Sequence, residues 1–342
     1  MEIIERRVGG HERVLLATDA AVGYRGIIAV HNTALGPAVG GTRFWNYASE
    51  EEALTDALRL SRGMTYKNAL AGLPFGGGKS IIIGDDRAGR REDIFRAHGR
   101  FIETLGGRYI TAVDVGTSTA DLEYVHRETE HVACLDARSG DPSPLTAHGV
   151  FPAIEASAKF RWGSVELDGR TVALQGCGHV GLHLARELHA AGARLFVADT
   201  DAEKLRRVVE ECGATPVLPE EIYGVEADIF APCALGGVIN DRTIPLLKVE
   251  IVAGAANNQL LEARHGDALE ARRILYAPDY VANAGGIIGG CVELLGWETE
   301  RARRKVREIY ETVLSIFDEA RIEALPPHRA ADRLAERRFA SV

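Results

Sequence analysis

Between residues 13 and 45 apolar and polar positions alternate in short runs, among them Val14-Leu15-Leu16-Ala17 and Gly26-Ile27-Ile28-Ala29-Val30, with breaks at Asn32 and Gly36-Pro37. This spacing predicts strands separated by turns. Ser49 with Glu52 three residues later has the form of a capping box and predicts a helix through Leu60. A lysine-bearing segment follows, then a strand at Ile81-Ile82-Ile83, a helix across Arg91 to Leu105, and a strand from Arg108 that ends on the carboxylate of Asp114. The stretch Asp136 to Pro144, rich in Gly, Ser, Asp and Pro, reads as a linker.

Beyond the linker the pattern is strand, glycines, helix, strand, acid. Thr171-Val172-Ala173-Leu174-Gln175 is a short buried strand, and Gly176-Cys177-Gly178-His179-Val180-Gly181 fits GxGxxG. An amphipathic helix then runs to Gly192, and Arg194-Leu195-Phe196-Val197-Ala198 leads to Asp199. Such glycines allow a tight turn and close approach of a pyrophosphate to the helix N-terminus, while the acid accepts from the ribose hydroxyls. Asp199 is followed by Thr200 and Asp201 with no adjacent arginine, which favours NAD over NADP; Lys204 is the nearest cation. The fold class expected is α/β with two domains: an N-terminal α/β domain at 1–135 and a Rossmann doubly wound NAD-binding domain at 136–325, with a helical tail at 326–342.

Composition narrows the function. The 342 residues carry a formal net charge of −9, with 46% hydrophobic and 26% charged residues, typical of a globular chain. The negative balance argues against nucleic acid and anionic membrane surfaces. The densest basic run, Arg301, Arg303, Arg304 and Lys305, is flanked by Glu300 and Glu308 and reads as a solvated helix face. No run reaches the roughly 18 apolar residues of a membrane span, and Met1-Glu2-Ile3-Ile4-Glu5-Arg6-Arg7 lacks the form of a signal peptide, so a cytoplasmic location is expected. The five cysteines are widely spaced without CxxC and are expected as reduced thiols. His179, His183 and Glu187 share helical spacing, but Val180, Leu184, Ala185 and Leu188 form the buried stripe of that helix, so no metal is expected.

The strongest chemical signal is a pair of lysines. Lys79 ends Gly76-Gly77-Gly78-Lys79-Ser80, and Lys67 lies twelve residues before it in Met64-Thr65-Tyr66-Lys67-Asn68. Glycines admit a ligand close to the backbone, and crowding two ammonium groups disfavours the charge on one, which is how a lysine becomes a base near neutrality. A P-loop does not fit, because its first glycine would fall on Leu73 and Lys79 leads into a strand rather than a helix.

Several longer segments carry a family resemblance: Gly36-Pro37-Ala38-Val39-Gly40-Gly41, Gly63-Met64-Thr65-Tyr66-Lys67-Asn68, Gly76-Gly77-Gly78-Lys79, Asp114-Val115-Gly116, Gly254-Ala255-Ala256-Asn257-Asn258-Gln259-Leu260 and Asn283-Ala284-Gly285-Gly286. In this order they resemble the leucine/phenylalanine/valine branch of the amino acid dehydrogenases, most nearly its leucine dehydrogenases, over nearly the whole chain. The resemblance implies oxidative deamination of an L-amino acid with NAD, with an N-terminal α/β substrate domain, a second domain that binds NAD and a cleft between the domains that closes for reaction, by a homo-oligomer, dimeric or octameric.

The same resemblance implies residue roles. Lys67 pairs with the substrate carboxylate, Lys79 is the general base toward water with its proton affinity reduced by Lys67 and burial, and Asp114 shuttles the amine proton. Gly40, Met64 and Asn258 orient the substrate, and Thr146 and Asn258 contact the nicotinamide. Val113 stands where the family commonly has Glu, which bears on the pKa of Asp114. The side-chain pocket maps onto Val39, Ala112, Ile287 and Gly290, where leucine dehydrogenase has valine at the last position and glutamate-specific relatives have lysine at the first. A branched-chain substrate is expected first, an aromatic one second, and glutamate last. A protein that binds NAD only as an allosteric ligand shares the fold, but the set Lys67, Lys79, Asp114 and Asn258 argues against it. A 2-hydroxy acid dehydrogenase would need a His/carboxylate relay that is not found.

Overall fold

The computed structural model describes residues 1–85, 89–135 and 143–340. The expected linker lies outside the described residues as far as position 142, and Ser143 and Pro144 already belong to a helix. The chain forms two compact units. One comprises Met1–Gly140, Gly290–Trp297 and Ala335–Val342, the other Asp141–Gly289 and Glu298–Leu334. The single cut at 135/136 and the separate tail from 326 therefore give way to a first unit that also takes in two short C-terminal stretches. Long-range contacts within that unit explain the return: Phe339 packs on Tyr66 at 5.6 Å between ring centroids, Arg338 Nη1 donates to Ala69 O and Leu70 O at 2.8 Å each, and Glu293 Oε2 accepts from Cys134 N at 2.9 Å.

In the first unit β1 (Glu2–Glu5), β2 (Arg13–Asp19), β3 (Tyr24–Asn32), β4 (Ala38–Trp45), β5 (Gly76–Ile83) and β6 (Tyr109–Val113) form one sheet in the order β1-β2-β3-β5-β4-β6. The first four neighbours pair antiparallel, whereas β5, β4 and β6 run parallel. Helix α1 (Glu50–Leu70) covers one face and α2 (Arg91–Glu103) with α3 (Thr119–His126) the other. Val14, Leu16, Ile27 and Ala29 pack with Ala53, Leu54 and Ala57 of α1, while Leu15, Ala17, Ile28 and Val30 pack with Phe95, Phe101 and Ile102 of α2. With both faces covered, the strand runs are apolar without interruption.

Two readings of this unit are corrected. The helix expected to end at Leu60 continues to Leu70, so Met64 and Lys67 are helical. Ser49 Oγ caps it, accepting from Glu52 N at 3.1 Å, while the Glu52 carboxylate turns to Ala48 N. A helical glycine costs about 1 kcal/mol relative to alanine, and burial of Ser61, Thr65, Tyr66, Asn68 and Ala69 outweighs that at Gly63. Gly76, Gly77 and Gly78, expected to bring backbone close to a ligand, are the buried first residues of β5. A Cβ at Gly77 would stand 2.0 Å from Thr65 N, and one at Gly78 2.6 Å from the Tyr109 ring. The glycines admit α1 and Tyr109 rather than a ligand.

Between the sheet and α2 lies a buried polar network. His98 Nδ1 meets Tyr24 OH at 2.7 Å, and its Nε2 meets Thr42 Oγ1 at 3.0 Å and Ser80 Oγ at 3.1 Å. Thr42 Oγ1 also meets Thr111 Oγ1 at 2.6 Å, and Tyr109 OH donates to Gly40 O. Burial lowers the His98 pKa to about 3, so the imidazole is neutral.

The second unit holds β7 (Thr171–Gln175), β8 (Arg194–Ala198), β9 (Thr215–Pro216), β10 (Ile229–Pro232), β11 (Ile251–Val252) and β12 (Leu275–Tyr276), all parallel, in the order β12-β11-β10-β7-β8-β9. This is the doubly wound order whose reversal, here between β7 and β10, makes a crevice at the strand C-termini. Helices α4 (Ser143–Trp162), α5 (His179–Ala190) and α6 (Ala202–Cys212) precede or follow its first strands; α7 (Arg264–Ala271), α8 (Asp279–Ala282), α9 (Gly285–Leu294), α10 (Thr299–Arg307), α11 (Ile309–Glu323) and α12 (Pro327–Ala340) complete the chain. The basic run lies on α10, where Arg303 pairs with Glu300 and Lys305 with Glu308. No helix of the described residues is long and apolar enough to cross a membrane.

Gly63 and Gly77 separate the two uses of glycine. Nothing lies within 4 Å of a Cβ at Gly63, so Gly63→Ala raises stability by roughly 0.5–1 kcal/mol. Gly77→Ala, which forces α1 off β5, lowers it by about 3 kcal/mol or more. Denaturant midpoints of both variants check this; equal midpoints refute it.

Candidate active site

Successive side chains of β5 alternate between faces. Ser80 and Ile82 face α2, and Lys79 and Ile81 face α1. Lys79 is buried, and its Nζ lies 2.6 Å from Asp114 Oδ2. Asp114 follows β6, where its N–H donates to Thr117 Oγ1 at 2.9 Å and Gly116, at φ +77°, turns the chain under Phe44 O. Gly41 makes room for it, since a Cβ there would stand 2.9 Å from Asp114 Cβ.

The sequence reading missed the second cation. Arg43 of β4 places Nε 3.0 Å from the same Asp114 Oδ2 and Nη1 2.9 Å from Asp56 Oδ2 of α1, and Tyr47 OH also donates to Asp56. No motif marks Arg43; the only hint is its place in the Gly40-Gly41 segment. Asp114 Oδ1 has no hydrogen bond among the described residues.

Burial alone would raise the Asp114 carboxyl, but Lys79 and Arg43 together hold its pKa below the ordinary value. Burial depresses the Lys79 ammonium most, Asp114 pulls it back up, and Arg43 lowers it again; the net direction is down. Arg43 is thus a cation that depresses Lys79. A lysine of weakened proton affinity touching a carboxylate with one unengaged oxygen is suited to moving protons.

Met64 and Lys67 lie three residues apart on α1, so they share a helix face. Met64 Cγ stands 3.4 Å from where a Cβ of Gly40 would be, and that Cβ would also strike Gly78 O. Val39 is fully buried, whereas Ala112 is partly exposed. A Cβ at Gly290 would meet nothing within 4 Å.

In the second unit the glycine loop joins β7 to α5. Gly176 takes φ +97°, and a Cβ there would strike Ala234 after β10; one at Gly181 would lie 1.9 Å from Gly176 O. At Gly178, the N-cap of α5, nothing lies within 4 Å of that position. The first and third glycines are therefore required by the turn and by helix–strand packing, and the second leaves open the approach a pyrophosphate needs. Asp199 Oδ2 accepts from Cys177 N at 2.6 Å and Oδ1 from Asp201 N at 2.8 Å, which fixes the acid beside the loop. These features fit a dinucleotide.

Asn258 holds a left-handed conformation, φ +52°, that asparagine tolerates well. Buried amides brace its loop: Gln259 Nε2 donates to Gly254 O, Asn283 Nδ2 to Ala255 O, and Asp279 Oδ2 accepts from Gln259 N at 2.7 Å. Thr146 lies in the first turn of α4, where a Cβ on Gly285 would come within 3.1 Å of its Cα. Ile287 is a partly exposed residue of α9. Glu187 pairs with His148 at 3.3 Å, and no group of three or more His, Cys, Asp or Glu among the described residues is placed to hold a metal.

Comparison with known proteins agrees over both units. The family model for the Glu/Leu/Phe/Val dehydrogenase dimerisation domain matches residues 11–131, and that for glutamate/leucine/phenylalanine/valine dehydrogenase matches 198–341. A leucine dehydrogenase of Geobacillus stearothermophilus is 54% identical over 96% of this chain and 90% of its own length. A valine dehydrogenase of Streptomyces coelicolor is 48% identical over 97% and 93%. The crystal structure of L-tryptophan dehydrogenase from Nostoc punctiforme superposes with a TM-score of 0.85 at 47% identity, covering 97% and 96%.

Removing the Asp114 charge leaves Lys79 and Arg43 buried against too few anions, and Asp114→Asn lowers stability by roughly 3–5 kcal/mol at neutral pH. Because the folded pKa is depressed, the wild-type advantage is present above the unfolded carboxyl pKa, about 4, and is lost as pH falls through the folded value. Denaturation of both proteins across this range checks it; a gap that persists at lower pH refutes it.

Proposed function

Because the chain belongs to the glutamate/leucine/phenylalanine/valine dehydrogenase family and is an NAD(P)-dependent amino acid dehydrogenase, we propose that it uses NAD to deaminate a hydrophobic L-amino acid, leucine and its branched-chain relatives first, to the 2-oxo acid and ammonia, and catalyses the reverse reductive amination. The observation that carries this reading is the buried Lys79 in contact with the ionised Asp114. Lys67 takes the substrate carboxylate, and Gly40 and Met64 shape the floor beside it. Asp114 receives the amine proton on Oδ1. NAD, held at the Gly176 to Gly181 loop, would supply the acceptor for the hydride of the substrate Cα. Lys79, uncharged, removes a proton from the water that adds to the resulting iminium carbon, and Asp114 returns its proton to the amine nitrogen; ammonia then leaves as the hydroxyl proton passes to solvent, the Lys79 ammonium stabilising the oxygen.

Gly176, Cys177, Gly178, His179, Val180, Gly181 and Asp199 hold the dinucleotide, with Thr146 and Asn258 toward the nicotinamide. NAD is preferred because the Asp199 carboxylate, fixed by two backbone N–H groups, repels a 2′-phosphate, and Lys204 is engaged by Asp201 at 3.1 Å. Val39, Ala112, Ile287 and Gly290 line the side-chain pocket. An aromatic substrate is the second reading, favoured by the open space at Gly290. We assign the protein a homo-oligomeric state, a dimer or an octamer.

Lys79→Ala is expected to cut turnover by several orders of magnitude while NAD still binds, whereas Lys67→Ala chiefly raises KM for the amino acid. Near-normal turnover in Lys79→Ala refutes the assignment.

Specificity is read from kcat/KM for L-leucine, L-valine, L-phenylalanine, L-tryptophan and L-glutamate, with NAD and with NADP. Glutamate is expected last, because buried Val39 gives its side-chain carboxylate no partner, and NADP is used poorly. One or two methylenes are worth about 1–3 kcal/mol in such a pocket, so the aliphatic rates overlap. Gly290→Val is expected to penalise the aromatic substrates selectively. Equal use of both cofactors refutes the role of Asp199, and an aromatic preference reversed by Gly290→Val refutes the branched-chain assignment.

A further inference from the structure

We propose that Arg43 is a positioning residue for Asp114: braced from behind by Asp56 and Tyr47, it clamps one carboxylate oxygen so that the other is presented for proton transfer. The inference rests on the proton-transfer role of Asp114 proposed above. Lys79 Nζ and Arg43 Nε both reach Oδ2, at 2.6 and 3.0 Å. Lysine is a point charge that can meet the shared oxygen from any direction, whereas the planar guanidinium fixes the direction from which its Nε meets Oδ2. Arg43 is itself held, since Nη1 meets Asp56 Oδ2 at 2.9 Å and Tyr47 OH donates to that same oxygen. The clamp ties β4 and α1 to the carboxylate that follows β6.

Among the described residues, few charged groups face these side chains. Asp114 faces Lys79 and Arg43; Arg43 faces Asp114 and Asp56; Lys79 faces Asp114, Arg43 and, farther off, Asp56. The neighbouring hydroxyls, Tyr47 and Tyr109, have pKa values raised above the ordinary phenol and stay neutral. Arg43 lowers the proton affinity of Asp114 and of Lys79 alike, so its loss moves both upward. Impaired folding alone would reduce the active fraction without moving either.

The test compares pH profiles of kcat and kcat/KM for the wild type, Arg43→Gln, Arg43→Lys, Asp56→Asn and Asp114→Asn. Arg43→Gln is expected to lose about a hundredfold in kcat, the scale of a misplaced reacting group, with KM for the amino acid little changed and both limbs of the profile displaced by about one pH unit or more to higher pH. Arg43→Lys restores the position of the limbs but not the full kcat, because it keeps the charge and loses the fork. Asp56→Asn, which unties the guanidinium and leaves it in place, lowers kcat less than Arg43→Gln and decides the matter if that variant does not fold. Wild-type kcat and limbs in Arg43→Gln, or wild-type kcat in Asp56→Asn, overturn the proposal. Retained turnover in Asp114→Asn instead overturns the proton-transfer role on which it rests, and the two failures are distinguishable.

Discussion

A Cβ at Gly77 would lie 2.0 Å from the backbone nitrogen of Thr65, so α1 can rest on β5 only where the strand has no side chain. That closeness sets the scale of the first unit. It brings the last turns of α1, with Met64 and Lys67, over the strand that carries Lys79, and it buries most of Lys79. Gly78 plays the same part on the opposite face by admitting the Tyr109 ring, whose hydroxyl then holds the carbonyl of Gly40. Backbone packing and chemical placement are here one constraint.

An ammonium group buried in this way is costly unless opposite charge stays with it. Four elements supply ions in alternating sign, Lys79 from β5, Asp114 after β6, Arg43 from β4 and Asp56 from α1. The group is neutral as a whole, yet its members do not share the charge evenly. Asp114 has two cations on one oxygen and is held ionised, while Lys79 has one anion in contact and Asp56 farther off against burial and a neighbouring guanidinium, and its grip on the proton is loosened. Arg43 lowers both proton affinities, and burial is what turns the lysine rather than the carboxylate into the partner that gives up its charge.

Much of the second unit was legible in the sequence because its signals are local and ordered. Strand, three glycines, helix, strand and Asp199 lie within some thirty consecutive residues, and the first and third glycines each have their own steric reason. The first unit was harder. Gly76 to Gly78 resemble a loop in sequence because a strand of glycines is defined only by what packs against it. Gly63 disguised the second half of α1 for a related reason, since the cost of a helical glycine is visible in sequence and the packing that outweighs it is not. Arg43 and Asp56 act through partners up to 71 residues away, and no spacing rule connects them. The same holds for Phe339 and Arg338, whose contacts with α1 span some 270 residues.

Behind the sheet, the ring of hydroxyls around His98 holds no group that changes charge across the range in which most enzymes work. His98 stays neutral down to about pH 3, and Tyr24 and Tyr109 are pushed above the ordinary phenol by burial. Serine and threonine supply the rest. The back of the sheet is therefore electrically silent: it holds the strands in register through directional bonds but sends no varying field through them. Lys79 and Asp114 titrate against a fixed background, and whatever pH sensitivity this part of the chain has is written on one side of a single layer of backbone.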